Sequence, residues 1–319
     1  MYEIKVSIIC NAYNQEKYIS DALEGFVMQK TNFPFEVLVH DDASTDKTPD
    51  IIRRYETKYP EIIKPIYETE NQYSKGNDSL TRIQCGRVKG KYIALCEGDD
   101  YWTDPYKLQK QYDALEAHPE INICATKASL IKENLVIGEL PKKEKSIIIP
   151  VSEVILGDGP FVATATIMYR TNVETNSPSF FDIVRIDYAL QIAGSLNNGM
   201  LFLSDNTAAY RVSTENSWTV RMKDNVQEHI LNKEKIIEML VCLDKDTNYV
   251  YHHAVDNRVR WYRYNIALLE DRYRDAMSKE YREFFEMHTI KGKALILLGC
   301  VVPTLSHKLR GIKRYYYGS

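Results

Sequence analysis

Carboxylates cluster directly after a short apolar run near the end of the first hundred residues. The run from Tyr92 to Cys96 leads into Glu97-Gly98-Asp99-Asp100. Carboxylates this close repel one another, and a hard divalent cation such as Mg²⁺ or Mn²⁺ relieves that cost. A nucleotide diphosphate would bridge to the same ion. The local alternative is a solvated acidic turn in which Asp104 caps the next helix.

Two further groups with suitable chemistry follow earlier apolar runs. Asp41 and Asp42 end the run that starts at Phe35, and Tyr13 follows the run from Val6 to Cys10. A carboxylate can accept a hydrogen bond from a pyrimidine N–H or a ribose hydroxyl, and a tyrosine ring can stack on a base. The local alternatives are helix capping by Ser44 or Asp46 and ordinary packing of the ring.

The sequence lacks the glycine-rich loops that cradle phosphates. Neither GxGxxG nor GxxxxGK[ST] follows a predicted strand, which argues against a dinucleotide dehydrogenase and a P-loop kinase. A bound diphosphate must therefore be neutralised in another way, and a metal ion fits.

Alternating strands and helices position these groups. The apolar patterns predict strands at 6–10, 35–40, 62–67 and 92–96, with helices at 17–28, 48–58 and 79–88 between them. This alternation predicts an α/β fold with a Rossmann-like, mainly parallel sheet flanked by helices. Ligands of such sheets collect at the carboxyl ends of the strands, where Tyr13, Asp41, Asp42 and Asp99 would meet.

The second part of the chain changes character. Further strands are predicted at 121–126, 164–169 and 200–203 and a helix at 188–196, whereas beyond residue 217 only helices are expected, at 226–243, 251–277 and 279–288. We predict a domain over 1–217, split into a first half (1–104) and a second half (105–217). A helical appendage (218–290) and an amphipathic, basic tail (291–319) would follow.

Bulk composition excludes several classes of protein. The 319 residues carry a net charge of −3, which gives no reason to expect binding to nucleic acid. The six cysteines form no CxxC pair, so neither a disulfide framework nor a zinc site is indicated. A cytoplasmic protein is expected, because no signal sequence opens the chain and no apolar run reaches the roughly 20 residues that span a bilayer.

Three segments together resemble glycosyltransferase family 2, in order and spacing. They are Val6-Ser7-Ile8-Ile9-Cys10-Asn11-Ala12-Tyr13-Asn14-Gln15-Glu16, Val37-Leu38-Val39-His40-Asp41-Asp42-Ala43-Ser44-Thr45-Asp46 and Glu97-Gly98-Asp99-Asp100-Tyr101-Trp102. Weaker family features continue to about residue 218. The resemblance implies an A-type glycosyltransferase fold and inverting transfer of a sugar, hexosyl or N-acetylhexosaminyl, from a nucleotide-sugar, with UDP preferred.

The resemblance also implies roles for individual residues. The positions of Asn11 and Tyr13 would line the base pocket, and Asp41 and Asp42 would contact base and ribose. Asp99 would bind the metal, Mn²⁺ or Mg²⁺. Glu97 departs from the usual aspartate, and its longer side chain can contact the metal, metal-bound water or the ribose.

The catalytic base is expected at a helix start in the second half. Ile186-Asp187-Tyr188-Ala189-Leu190 resembles that segment of the family, so Asp187 is our candidate for the base; its local alternative is a helix cap. Ser213 stands where the family often has a histidine that contributes to metal or diphosphate binding. Arg211 and Arg82 are candidates for contact with the diphosphate.

The acceptor side is less strongly indicated. Trp102 and Trp218 can border an acceptor sugar or belong to the core. The segment from Lys291 to Tyr317 mixes apolar, basic and aromatic residues, as peripheral membrane anchors do. Such an anchor would bring the enzyme to a lipid-linked glycan acceptor, as in relatives that build surface polysaccharides. A packed helix or a homo-oligomer contact is the alternative.

Two other functions remain to be weighed. A nucleotidyltransferase that makes sugar nucleotides should carry a glycine-rich basic loop after its first strand, and the segment 11–17 lacks one. A non-catalytic relative that binds glycans or nucleotide-sugars is the stronger alternative, because Glu97 and Ser213 replace expected residues. Donor turnover separates it from an enzyme.

Overall fold

A computed structural model describes residues 3–76, 79–212, 214 and 225–302. The chain divides into two compact units, 1–214 and 215–319. The boundary predicted after residue 217 lies close to this division. The finer boundaries at 104 and 290 remain predictions.

One ten-stranded sheet forms the centre of the first unit. Its strands are β1 (Val6–Ala12), β2 (Phe35–Asp41), β3 (Ile63–Tyr67), β4 (Tyr92–Leu95), β5 (Tyr101–Trp102), β6 (Ile123–Lys132), β7 (Leu135–Leu140), β8 (Ile147–Ile149), β9 (Met168–Arg170) and β10 (Met200–Arg211). Their order is β3-β2-β1-β4-β9-β6-β10-β5, with β7 paired to β6 and β8 to β10.

Seven α-helices accompany the sheet among the described residues of the first unit. They are α1 (Ile19–Val27), α2 (Thr48–Lys58), α3 (Ser79–Cys85), α4 (Lys107–Ala117), α5 (Val151–Gly157), α6 (Asn172–Thr175) and α7 (Asp187–Ser195). The apolar faces of α1, α2 and α4 contribute Phe26, Ile52 and Leu115 to one core with the strands.

The parallel part of the sheet lies where the sequence predicts it. Strands β3, β2, β1 and β4 run parallel, and β1 and β2 are buried along almost their whole length, as strands covered on both faces are. Ala12 pairs with Asp41, and Ile9 pairs with Leu95. The segments that follow β1, β2 and β4 therefore emerge at one edge of the sheet. The second half is mixed, because β9 is antiparallel to both β4 and β6 whereas β6 and β10 are parallel.

Some elements differ from the sequence-based expectation. The strand predicted over 164–169 is partly wrong: Thr164–Thr166 is a 3-10 turn, and β9 covers only Met168–Arg170. The Thr166 hydroxyl stabilises this turn by donating to the Ala163 carbonyl at 2.6 Å. The helix expected over 251–277 is two helices, because Asp271 adopts a φ of 59° between them, a left-handed conformation that a continuing helix excludes. The pattern did not predict β5, β7, β8 and α5.

The second unit is helical, as expected. It contains α8 (Val226–Asp246), α9 (His252–Leu269), α10 (Tyr273–Ala276), α11 (Arg282–Glu286) and α12 (Ile290–Val301). Tyr264, Tyr273 and Phe284 form the centre of its aromatic core. No helix in the described part of the chain is long and apolar enough to cross a membrane.

Candidate active site

The acidic turn after β4 is built from residues of very different exposure. Asp100 is only 2% exposed, and its Oδ1 accepts a hydrogen bond from the Arg211 backbone N–H at 2.8 Å. Burial raises the pKa of the Asp100 carboxyl well above its ordinary value. A Cβ on Gly98 would lie 2.3 Å from Gln15 Oε1, so the turn packs against the segment after β1. Asp100 is thus structural, whereas Glu97 and Asp99 remain partly accessible.

Glu97 faces the end of β1. Its Oε1 accepts a hydrogen bond from Asn11 Nδ2 at 3.3 Å. Desolvation by the surrounding protein raises the pKa of the Glu97 carboxyl to about 8, and the negative charges of Asp187 and Asp99 contribute smaller parts of this increase. The side chain is therefore protonated at neutral pH unless a cation adjoins it.

Asp187 is the first residue of α7 and lies in the same cleft as Glu97. The Thr164 hydroxyl donates a hydrogen bond to the Asp187 carboxylate. The helix has no side-chain cap, so the capping alternative is not what the structure shows. The Asp187 side chain is exposed. The surrounding cleft nevertheless desolvates the carboxylate and raises its pKa, and the hydrogen bond from Thr164 lowers this pKa by a smaller amount.

The cleft joins elements from both halves of the first unit. It has a volume of about 100 Å³, and Asn11, Glu97, Thr164 and Asp187 are among the residues that line it. Strand ends β1 and β4 thus meet the start of α7. Among the described residues, no three His, Cys, Asp or Glu side chains surround a common point that could hold a metal ion.

Asp41 and Asp42 have different surroundings at the end of β2. Both oxygens of Asp42 accept backbone N–H groups, from Gln72 at 2.6 Å and from Tyr73 at 3.1 Å. Asp42 therefore holds the loop after β3 in place. Asp41 is 2% exposed, its Oδ1 has no hydrogen-bond partner, and burial raises its pKa. An unpaired buried acceptor of this kind suits a ligand N–H or hydroxyl.

Reciprocal hydrogen bonds join the loops that follow β1 and β2. Asn14 Oδ1 accepts from the Thr45 N–H at 2.8 Å, and Ser44 Oγ accepts from the Asn14 N–H at 2.9 Å. Asp46 Oδ2 accepts from the Glu16 N–H at 3.0 Å. Tyr13, which is 40% exposed, is carried by this joined pair of loops, so its ring is available to a ligand.

The two arginines proposed for diphosphate contact lie in different places. Arg211 donates to the Asp99 carbonyl at 2.7 Å and to the Asp21 carboxylate, and its guanidinium lies 4.5 Å from the centre of the Tyr101 ring. It anchors the acidic turn. Arg82 is exposed and lines a neighbouring cleft of about 410 Å³. Neither guanidinium lines the cleft of Glu97 and Asp187, so their contact with a diphosphate stays a prediction.

Trp102 is a core residue. It is 2% exposed, its Nε1 donates to the Ala165 carbonyl at 2.8 Å, and its ring packs edge-on against Phe26. This geometry favours the packing alternative over an acceptor wall. Trp218, Ser213 and the tail beyond residue 302 lie outside the described residues.

The sequence analysis did not predict two residues near Asp187, namely Glu174 and Arg185. Arg185 Nη1 donates to Glu174 Oε2 at 2.9 Å, and the Tyr169 hydroxyl donates to Glu174 Oε1 at 3.0 Å. The side chains of Glu174 and Arg185 are 9% and 15% exposed. Glu174 lies in the four-residue helix α6 and Arg185 in the loop before α7, so no periodic pattern predicts them and the only signal is the proximity of Arg185 to Asp187.

Comparison with known proteins is consistent with this geometry. The model of glycosyl transferase family 2 matches residues 7–173. An uncharacterized protein of Mycobacterium tuberculosis is 36% identical over 220 residues, which are 67% of this chain and 60% of that protein. The chain thus spans about 60% of the length of this relative.

Solved structures share the fold at low sequence identity. TarS 1–349 of Staphylococcus aureus, solved in complex with UDP, superposes with a TM-score of 0.59 at 19% identity, over 91% of this chain and 77% of that one. The mannosyltransferase PcManGT of Pyrobaculum calidifontis, solved with GDP-Man and Mn²⁺, gives a TM-score of 0.56 at 16% identity, over 99% and 85% of the two chains.

The α/β sheet and its flanking helices have the A-type glycosyltransferase fold of these structures. The chain belongs to glycosyl transferase family 2.

Proposed function

We propose that this protein is a glycosyltransferase that moves a sugar, with inversion, from a UDP-sugar to an acceptor hydroxyl. The observation that carries the proposal is the shared cleft of Asn11, Glu97 and Asp187. An inverting transfer needs a base on the side of the anomeric carbon opposite the leaving diphosphate. Asp187 lies on α7, and the donor-binding candidates lie at the strand ends, so the cleft brings the two groups together from separate halves of the domain.

The donor contacts follow from the strand ends. The Tyr13 ring stacks on the base, and the unpaired Asp41 Oδ1 accepts a hydrogen bond from base or ribose. Asn11 orients Glu97, and Asp42 acts by fixing the loop over residues 71–73. Arg82 and Arg211 supply positive charge for the diphosphate. The fold shared with TarS, solved with UDP, and with PcManGT, solved with GDP-Man, supports a nucleotide-sugar donor.

Asp187 performs the proton transfer. Its carboxylate takes the proton of the acceptor hydroxyl as the hydroxyl oxygen forms a bond to the anomeric carbon and the bond to the diphosphate breaks. Thr164 holds one carboxylate oxygen and leaves the other for the acceptor. The partial enclosure of the carboxylate raises its pKa and makes it a stronger base than an aspartate in water.

The carboxylates fit a divalent cation that is completed by substrate. Mg²⁺ and Mn²⁺ favour oxygen ligands, and Mg²⁺ sites commonly use one or two carboxylates together with substrate phosphates. Asp99 and Glu97 would supply those carboxylates, and the proximity of Asp99 and Asp187 to Glu97 leaves negative charge uncompensated. The ion, when bound, offsets charge that grows on the leaving diphosphate. The Mn²⁺ in the PcManGT structure supports this choice.

We propose a lipid-linked glycan of surface-polysaccharide synthesis as the acceptor, at the cytoplasmic face of a membrane. The basic and aromatic character of residues 291–319 supports this location. Trp218 is a candidate for contact with the acceptor sugar, whereas Trp102 would act only through the packing of the acidic turn.

A donor screen tests the proposal. Purified protein is incubated with UDP-, GDP- and dTDP-sugars in the presence of Mn²⁺, Mg²⁺ or a chelator, and binding and slow donor hydrolysis are measured. Metal-dependent hydrolysis of a UDP-sugar is the expected result. If folded protein neither binds nor hydrolyses any donor, the non-catalytic relative replaces the enzyme proposed here.

A further inference from the structure

The last described helix, α12, is held against the second unit by one face only. Thr289 caps its start by accepting a hydrogen bond from the Gly292 N–H at 3.2 Å. Ile296 and Gly299 are buried, and a Cβ on Gly299 would lie 2.5 Å from the Tyr273 ring. This close approach, which only glycine allows, fixes the rotation of the helix about its axis.

The face turned away from Tyr273 is apolar and exposed. It consists of Ile290, Ala294, Leu297 and Val301, which we call the α12 stripe. Ile290 is 88%, Leu297 51% and Val301 79% exposed. The spacing of four, three and four residues places these side chains in one line along a helix. Single exposed apolar residues are common on proteins, but a continuous row on one helix indicates a binding surface.

Positive charge accompanies the stripe. Lys291 lies beside it and is exposed, whereas Lys293 on the same helix pairs with Glu286 at 2.5 Å. In the sequence, residues 290–319 contain six Lys or Arg and no Asp or Glu, although the whole chain has a net charge of −3. The six are Lys291, Lys293, Lys308, Arg310, Lys313 and Arg314. Basic residues without acidic ones thus occur on this helix and in the sequence that directly follows it.

We propose that the α12 stripe is a membrane-contact surface that lies on a bilayer rich in anionic lipids. Apolar side chains then enter the interface, while the flanking lysines approach lipid phosphates. The helix has 12 residues, about 18 Å at 1.5 Å per residue. This is well short of the roughly 30 Å hydrocarbon core, so the helix lies along the surface.

The charge pattern favours a bilayer over a second copy of the chain. Two copies joined stripe to stripe would bring their exposed Lys291 side chains together, and the sequence that directly follows each helix adds four more cations and no carboxylate. Repulsion between like charges would oppose such a contact, whereas an anionic surface compensates every one of them. The proposal extends the membrane location proposed above to a particular surface, and its test does not depend on donor turnover.

Vesicle sedimentation of the full chain tests the surface. Wild-type protein should sediment with phosphatidylcholine vesicles that contain phosphatidylglycerol but not with phosphatidylcholine alone, and added salt should weaken the binding. The double variant Ile290→Gln/Leu297→Gln should bind about tenfold or more weakly. It removes two apolar side chains that would enter the bilayer, without any change in charge. Thermal unfolding and size-exclusion chromatography accompany each measurement.

A matched control separates the stripe from general surface hydrophobicity. Leu231 and Val250 are 49% and 72% exposed in the same unit and lie outside the stripe. Leu231→Gln/Val250→Gln should bind vesicles as wild type does. The proposal is overturned if the stripe variant binds as tightly as this control, or if it only dissociates an oligomer. Donor hydrolysis without vesicles should be equal in all three proteins. If none of them hydrolyses a donor, the proposed enzymatic activity is refuted, whereas the vesicle measurement still tests the membrane-contact surface.

Discussion

Arg185 donates a hydrogen bond to Glu174 at 2.9 Å, only two residues before Asp187. Glu174 belongs to α6 and is almost buried, while Arg185 also reaches Asp182 at 2.9 Å. The arginine therefore ties the segment that precedes α7 to a neighbouring helix. Because Asp187 begins α7, this ion pair restrains the position of the candidate base, and both of its members also line the cleft that contains Asp187.

Loss of the Glu174 charge should lower turnover more than binding. Glu174→Gln leaves the partly buried Arg185 with only the exposed carboxylate of Asp182, which should cost up to about 3 kcal/mol of unfolding free energy. Misplacement of Asp187 should also lower kcat about tenfold while the KM for the donor stays close to wild type. Urea unfolding and steady-state kinetics measure the two effects. Asp182→Asn is the matched control, because Asp182 is 65% exposed and its ion pair with Arg185 contributes little to stability. An unchanged kcat in Glu174→Gln would show that the ion pair of Glu174 and Arg185 serves stability alone.

Asp187→Asn should nearly abolish transfer. The amide keeps the shape of the side chain but cannot accept the acceptor proton, so kcat should fall by about 10²–10⁴-fold. Donor affinity should remain within about twofold of wild type, because the base contacts the acceptor oxygen rather than the nucleotide. Turnover and calorimetric donor binding provide the readouts. Normal turnover in this variant would refute the assignment of the base.

The pH dependence of the reaction should reflect the surroundings of Asp187. Its pKa is raised by desolvation, so kcat/KM should fall, on acidification, at a pH above the ordinary aspartate value of about 3.9. The Thr164 hydroxyl favours the charged form. Thr164→Val should therefore move this acid limb to higher pH. An acid limb that stays in place would mean that another group controls it.

The strand ends could be predicted from sequence, whereas the support around the base could not. Residues Val6 to Cys10 and Phe35 to His40 are mainly apolar runs that end in polar residues. This pattern predicted the parallel strands and the edge of the sheet at which those polar residues meet. Glu174 belongs to the four-residue helix α6 and Arg185 to the loop before α7, and neither segment has a periodic pattern that predicts their ion pair.

The same contrast appears within the candidate site. Asp41 and Asp42 look equivalent in the sequence, but Asp42 accepts two backbone N–H groups from the loop after β3, and Asp41 Oδ1 stays unpaired. Trp102 also looks like a ligand residue from its place beside the acidic cluster. Its burial against Phe26 follows from a tertiary contact with α1 that no local pattern records.

Asp99→Ala should weaken metal-dependent donor binding. Removal of one carboxylate from a site that is completed by substrate phosphates should cost at least about tenfold in affinity, since even the outer-shell partners of metal ligands are worth that much. Titration of the donor with Mn²⁺ and with chelator separates the metal-dependent part. Asp113→Ala removes an exposed carboxylate on α4 and should leave donor affinity unchanged. Equal metal dependence in Asp99→Ala and wild type would remove Asp99 from the metal site.

Because of Lys107, the stability of the fold should change with pH in the alkaline range. The side chain is fully buried, its Nζ donates to Gln111 Oε1 at 2.6 Å, and it lies 4.3 Å from the Trp102 ring centre. Burial lowers the pKa of the Lys107 ammonium from 10.5 to about 7. Between these two values the unfolded chain binds a proton that the folded chain does not, so stability rises with pH across this window.

The variant Lys107→Met isolates this effect. Methionine fills a similar volume without a titratable group, so the wild type should gain up to about 1.4 kcal/mol of unfolding free energy per pH unit relative to the variant, between about pH 8 and about pH 10. Urea unfolding of both proteins across that range measures the difference. Since the comparison uses the change with pH, the lost hydrogen bond to Gln111 cancels to first order. Parallel curves for the two proteins would show that Lys107 keeps its charge in the folded state.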